Sequence, residues 1–170
     1  MKITSQEEYG LRCVVRVALE QGGGPVSAQT IAECEGLTVS YVQKLMRVLV
    51  HGGLVEATRG AHGGYTLVRA PEFVSLGAII RVLGGMIETE HMCGKFTGEH
   101  DVCIHHGDCS IRPVWSTLSE FIIATFERIP LTLLMRGEDE VAGRLMAMVP
   151  PQLMELPCES LVHPAERDRR

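Results

Sequence analysis

Three features of the sequence predict a mainly α protein carrying one small β-hairpin. Apolar residues recur every three or four positions in successive segments, the spacing that gives a helix one buried face. Ser or Thr stands just ahead of these segments and glycine just behind them, as helix starts and stops require. Only the stretch from Leu54 to Ala70 breaks the pattern, with two short β-prone runs around a glycine-rich tip. With 170 residues, 45% of them hydrophobic and only 5% aromatic, the chain suits one aliphatic core with appendages rather than two full domains.

The elements follow in order. Thr4 or Ser5 caps a first helix, with Glu7 or Glu8 three positions on completing a capping box, and Leu11, Val14, Val15 and Ala18 form its inner stripe. Gly22-Gly23-Gly24-Pro25 ends it. Ser27 caps a short second helix through Ile31 and Cys34, and Gly36 stops that helix. Thr38 caps a third, with Val42, Leu45, Met46 and Leu49 inward and Gly52-Gly53 behind it. Two helices joined by a tight glycine turn make a helix-turn-helix. Leu54–Thr58 and Tyr65–Val68 then read as a hairpin wing, and Val74–Leu83 as a fourth helix stopped by Gly84-Gly85. Pro113 suits the first position of a long helix whose stripe of Val114, Leu118, Phe121, Ile122 and Thr125 exceeds what so small a core needs, so it is read as a dimerisation helix.

This divides the chain into a winged helix-turn-helix over 1–85, a cysteine-rich loop over 86–112, the long helix and its follow-on over 113–136, and an acidic tail over 137–170 without a readable motif. No run of about 18 apolar residues predicts a membrane span. The start, MKITSQEEYG, has no apolar h-region, so a cytoplasmic protein is expected.

The net charge of −5 hides a polarised distribution. From Thr38 to Arg69, Lys44, Arg47, Arg59 and Arg69 stand against Glu56 alone, whereas the segment from Gly137 to Ser160 carries five carboxylates against Arg144. A basic helix-turn-helix inside an acidic chain points to double-stranded DNA. Ser40, Tyr41, Gln43 and Lys44 lie in the first turns of the third helix, where base edges come within reach; Gln43 can read adenine, and Lys44 or Arg47 can bind phosphate or guanine. Arg59 at the wing tip is placed for a minor groove or the backbone. The glycines around Arg59 are not followed by Gly-Lys-Ser/Thr, which argues against a nucleotide-phosphate loop.

Cysteines in such a chain point to metal or redox chemistry rather than disulfides. Cys93, Cys103 and Cys109 are separated by nine and five residues, wider than the knuckles of structural zinc and suited to wrapping an iron–sulfur cluster. His91, His100, His105 and His106 lie in or beside this loop, and any of them could add a ligand. Zinc, or thiols acting without metal, would use the same residues. Cys13 and Cys34 read as small core residues. A metal-dependent enzyme would need a general base and a substrate pocket beside the metal, and no second constellation of that kind stands out.

The segment MKIT through SYVQKLMRVLVHGGLVEATRGAHGGYTL, together with the three-cysteine loop ahead of a long helix, resembles the Rrf-type family of winged-helix regulators from residue 1 to about residue 136. The resemblance implies a homodimer on a palindromic operator, acting as a repressor whose DNA affinity changes with the state of an iron–sulfur cluster, [2Fe–2S] ahead of [4Fe–4S]. By position it makes Ser40, Tyr41 and Gln43 base readers, Arg59 the wing arginine, and Cys93, Cys103 and Cys109 the cluster thiolates. One member uses a histidine three residues after its last cysteine; Arg112 stands there and cannot ligate, and the first cysteine gap is also longer than in that member. Other members take a carboxylate from the start of the first helix of the partner subunit, where this chain has Glu8. Glu8 is therefore the expected fourth ligand, with His105 and His106 as alternatives.

Overall fold

A computed structural model describes residues 3–60, 63–84 and 102–149. Cys93, the loop histidines His91 and His100, and the tail from residue 150 with Cys158 lie outside the described residues. The helices are α1 (Ser5–Glu20), α2 (Ala28–Glu35), α3 (Val39–His51), α4 (Leu76–Leu83), α5 (Ile111–Glu127), α6 (Leu131–Leu134) and α7 (Glu138–Met148). Strands β1 (Val55–Thr58) and β2 (Gly64–Leu67) pair antiparallel, Val55 opposite Leu67 and Thr58 opposite Gly64. No helix among the described residues is long and apolar enough to cross a membrane. The chain divides into two compact units, Met1–Met135 and Arg136–Arg170.

In the first unit the caps sit where the sequence signals them. Ser27 Oγ accepts from Thr30 N–H at 3.0 Å, and Gly36, at φ 65°, ends α2 in the left-handed region. Thr38 Oγ1 accepts from Tyr41 N–H at 3.3 Å, and Ser75 Oγ from Ala78 N–H at 3.0 Å. Val42, Leu45, Met46 and Leu49 of α3 are all buried, meeting Val14 and Val17 of α1, Ile31 of α2, and Ile79 and Leu83 of α4 in one aliphatic core. Each large side chain buried this way contributes roughly 1.5–3 kcal/mol against exposure.

Several expectations shift. At the start of α1 the capping box is Thr4–Glu7: the Glu7 carboxylate accepts from Thr4 N–H at 2.7 Å, and Thr4 Oγ1 accepts from Glu7 N–H at 3.2 Å. Glu7 is buried, so Glu8 turns outward. The stripe of α1 is centred on Gly10, Cys13, Val14, Val17 and Ala18, with Leu11 and Val15 at its flank. Val74 precedes α4 in extended conformation, because its carbonyl accepts from Leu131 N–H at 2.8 Å. Helix α5 begins at Ile111, two residues before Pro113; a proline in the first turn removes only an N–H that has no partner there anyway. Cys34 is exposed rather than core, since Ile31 and Ala32 already supply the buried face of an eight-residue helix.

The end of α5 is anchored to this core. Glu127 accepts hydrogen bonds from Ser75 Oγ and from the Arg81 guanidinium, Leu76 N–H donates to Ile129 O at 2.8 Å, and Leu131 is fully buried. The body of α5 is different: it has no buried residue, and Val114 (61% exposed) and Phe121 (58% exposed) stand open on the stripe that the sequence marks. In the second unit, α7 occupies part of the tail in which the sequence pattern signals no element to the eye. Three carboxylates in its first turn, Glu138, Asp139 and Glu140, are the overlooked signal of a helix start.

Candidate DNA interface and thiol turn

The buried face of α3 determines what the opposite face presents. Ser40, Gln43, Lys44 and Arg47 are exposed, and none of the three basic residues Lys44, Arg47 and Arg59 makes an ion pair among the described residues. Tyr41 lies apart from them. It is half-buried against the core, and its ring meets Tyr9 of α1 edge-on at 6.1 Å and 77°.

The wing is held by close backbone approach. Val26, just before α2, bridges β2: its N–H donates to Tyr65 O at 2.9 Å and its carbonyl accepts from Tyr65 N–H at 2.8 Å. A Cβ on Gly64 would lie 2.6 Å from the Val26 carbonyl, and one on Gly63 would strike Thr58 O. These contacts explain the paired glycines. Gly60, at φ 116°, turns the chain beyond Arg59, and its carbonyl accepts from Gly63 N–H at 2.9 Å. Between α3 and the wing runs a cleft of about 520 Å³ lined by Gln43, Arg47, Val50, Ala57, Arg59 and Tyr65. Gln43, Arg47 and Arg59 therefore come together along one groove with two cationic walls and no carboxylate in its lining. Tyr65 was missed as a groove residue; its place directly after the wing glycines was the available signal.

Cys103 and Cys109 are both free and half-exposed, at the two ends of one short turn. His106 N–H donates to Cys103 O at 2.9 Å, and the His105 and His106 side chains are exposed. Arg112 makes no ligand, but its guanidinium donates to His106 O at 2.8 Å and to His105 O at 3.4 Å. Glu8 is exposed and pairs with Arg12 at 2.9 Å. The Arg12 guanidinium lies 5.6 Å over the Tyr9 ring, so contacts run from Glu8 through Arg12 and Tyr9 to Tyr41 in the first turn of α3. Among the described residues no three His, Cys, Asp or Glu side chains converge, so neither Glu8 nor His105 nor His106 completes a set with Cys103 and Cys109 within the single chain. The donors themselves fit a soft centre: two accessible thiols on one turn suit iron–sulfur or zinc, not a hard oxygen-seeking cation. Cys13 is a poor candidate for such chemistry, since burial, with the Glu35 charge adding to it, pushes its thiol up to about 12.

Comparison with known proteins gives the geometry its context. A family described as an iron-dependent transcriptional regulator, Rrf2, matches residues 3–137. Protein rrf2 of Nitratidesulfovibrio vulgaris is 32% identical over 136 residues, covering 80% of this chain and 88% of that protein. Among solved structures, T. potens IscR superposes with a TM-score of 0.59 at 30% identity, covering 91% of this chain and 96% of that one. CymR, the global cysteine regulator of B. subtilis, superposes with a TM-score of 0.61 at 28% identity, covering 79% and 96%. The matched span runs from the lead-in of α1 through the wing and α5 to just past α6, so the chain belongs to the Rrf2 family of DNA-binding transcriptional regulators, and its work is control of transcription rather than catalysis.

Proposed function

We propose that the chain works as a dimeric repressor of a palindromic operator, with DNA affinity set by an iron–sulfur centre, [2Fe–2S] in the first instance. Cys93, Cys103 and Cys109 would hold the centre, with Glu8 of the partner subunit as fourth ligand and His105 or His106 as the alternatives. The observation that carries this reading is the pair of free, accessible thiols on one turn, ahead of a helix whose apolar face is uncovered. An uncovered stripe including Val114, Leu118 and Phe121 is what a two-fold helix–helix interface requires. The description of the family as iron-dependent supports iron over zinc.

A bound cluster would supply a redox- and ligand-sensitive charge at the thiol turn. The chain's own residues would carry its state to the DNA-binding face. Glu8 is not needed for the capping box, which Glu7 fills, so its carboxylate is free to leave Arg12. Its departure would release the guanidinium that lies over Tyr9, and Tyr9 bears on Tyr41 in the first turn of the recognition helix. Two half-sites would then meet two copies of α3, with Ser40 and Gln43 toward base edges and the half-buried Tyr41 beside them in the same first turns, Lys44 and Arg47 toward phosphate or guanine, and Arg59 in the adjacent minor groove.

The test is anaerobic purification followed by an absorption spectrum and iron and sulfide assays. Brown protein with stoichiometric sulfide is expected, bleached by Cys93→Ala, Cys103→Ala or Cys109→Ala and unaffected by Cys158→Ala. Colourless protein carrying zinc would overturn the cluster. A centre of zinc or free thiols is the second reading, favoured by the accessible thiols of Cys103 and Cys109 on one turn, a pair that zinc or disulfide chemistry also accepts.

A further inference from the structure

The segment between Cys103 and Cys109 is tied down by its backbone. The hydrogen bond from His106 N–H to Cys103 O closes a turn on the Cys103 side, and Cys109 sits two residues before α5. Arg112, the second residue of α5, joins the two ends. Its guanidinium donates to His106 O at 2.8 Å and, more weakly, to His105 O at 3.4 Å. One guanidinium nitrogen, Nη2, thus bridges two successive carbonyls and links the turn behind Cys103 to the helix that starts behind Cys109. Among the described residues Arg112 has no carboxylate partner, so its charge is uncompensated at the backbone of the turn between the two cysteines.

We propose that Arg112 is a positioning residue for the thiol centre. It holds the Cys103–His106 turn against the start of α5, so that Cys103 and Cys109 keep one separation, and it puts a positive charge on the turn that carries the thiolates they become on binding iron. The proposal rests on the reading that these cysteines hold an iron–sulfur cluster. Two consequences differ in their physical origin. The bridge is geometric and depends on the reach of the arginine side chain. The charge is electrostatic, favours the more reduced centre, and survives replacement by another cation.

The experiment uses the full chain, loaded anaerobically, as wild type, Arg112→Lys and Arg112→Ala. Loss of the charged hydrogen bond in Arg112→Ala should speed cluster loss in air about tenfold, the scale of one charge-assisted bond, and lower the reduction potential. Arg112→Lys should hold the potential near that of wild type while still losing the cluster faster, because the charge remains but the shorter side chain does not span to both carbonyls. Wild-type decay and potential in Arg112→Ala would overturn the proposal. A second measurement does not depend on iron: amide exchange at His106 in the metal-free protein should rise several-fold in Arg112→Ala. Unchanged exchange there overturns the positioning role even if wild type binds no cluster. Colourless wild type would instead sink the iron reading and leave the exchange result to decide the role of Arg112 in ordering the turn.

Discussion

Replacing Gly64 by alanine adds one carbon at a point where two backbones touch. The new Cβ would lie 2.6 Å from both the carbonyl carbon and oxygen of Val26 and 2.9 Å from the carbonyl carbon of Pro25. Backbone atoms cannot swing aside as the end of a side chain can. Gly64 does not have a positive φ, so the cost is steric rather than conformational. The chain can relieve the clash by opening the Val26–Tyr65 bridge, whose two hydrogen bonds are 2.9 and 2.8 Å long. Each contributes about 0.5–1.5 kcal/mol net. Alternatively it keeps the bridge and holds about 1–3 kcal/mol of strain. Either route predicts a loss of about 2 kcal/mol. The same change loosens β2 and so lets Arg59 drift from the groove it shares with Arg47. Operator affinity should fall about tenfold if the loosened wing gives up roughly 1.4 kcal/mol of binding. Denaturant unfolding reads the first effect and duplex titration the second. Gly107→Ala is the control, because nothing lies within 4 Å of its added carbon and its φ is not positive. If Gly64→Ala unfolds at the same midpoint as Gly107→Ala, close backbone approach at Val26 is not what holds the wing.

Three further outcomes follow from the site. Gln43→Ala should relax operator preference at one base position by roughly 1–3 kcal/mol, whereas Arg47→Ala and Arg59→Ala should weaken binding more uniformly and flatten its salt dependence; a selected operator unchanged by Gln43→Ala removes Gln43 as a base reader. Cys13 should resist alkylation in the native protein while Cys34 reacts, and because its folded-state pKa of about 12 lies above the ordinary 9.0, its contribution is intact below pH 9 and is lost as pH rises from about 9 toward 12. Stability that is flat across that alkaline range in wild type, and indistinguishable from Cys13→Ala, would contradict this. Glu7→Ala should cost about 1 kcal/mol through loss of the cap and leave the visible spectrum alone. Glu8→Ala, by contrast, should barely change stability, because its pair with Arg12 is exposed, yet should alter the spectrum and its decay in air. A wild-type spectrum in Glu8→Ala, with His105→Ala or His106→Ala losing it, places the fourth ligand in the turn.

The helix-turn-helix was legible from residues because its determinants are local. Thr38, the Val42–Leu45–Met46–Leu49 stripe and the Gly52-Gly53 stop all act within a few residues of one another, and a buried face specifies the exposed one that carries Ser40, Gln43, Lys44 and Arg47. The wing was legible for the same reason, through its glycines and alternating β-prone runs. What the tertiary structure alone decided depends on partners distant in sequence or on a single step of register. Whether Glu7 or Glu8 closes the capping box turns on which of two adjacent carboxylates faces the core, and that choice leaves Glu8 free. The orientation of Tyr41 depends on Tyr9, on another helix, and no periodicity of α3 reports it. Cys34 reads as core until Ile31 and Ala32 are seen to fill the only buried face that α2 has. Arg112 is legible as a residue that cannot ligate, but its bonds to His105 and His106 depend on how the turn folds back toward α5. Local chemistry sets which elements form and which faces they offer; the packing of those faces against one another sets which side chains remain free to act.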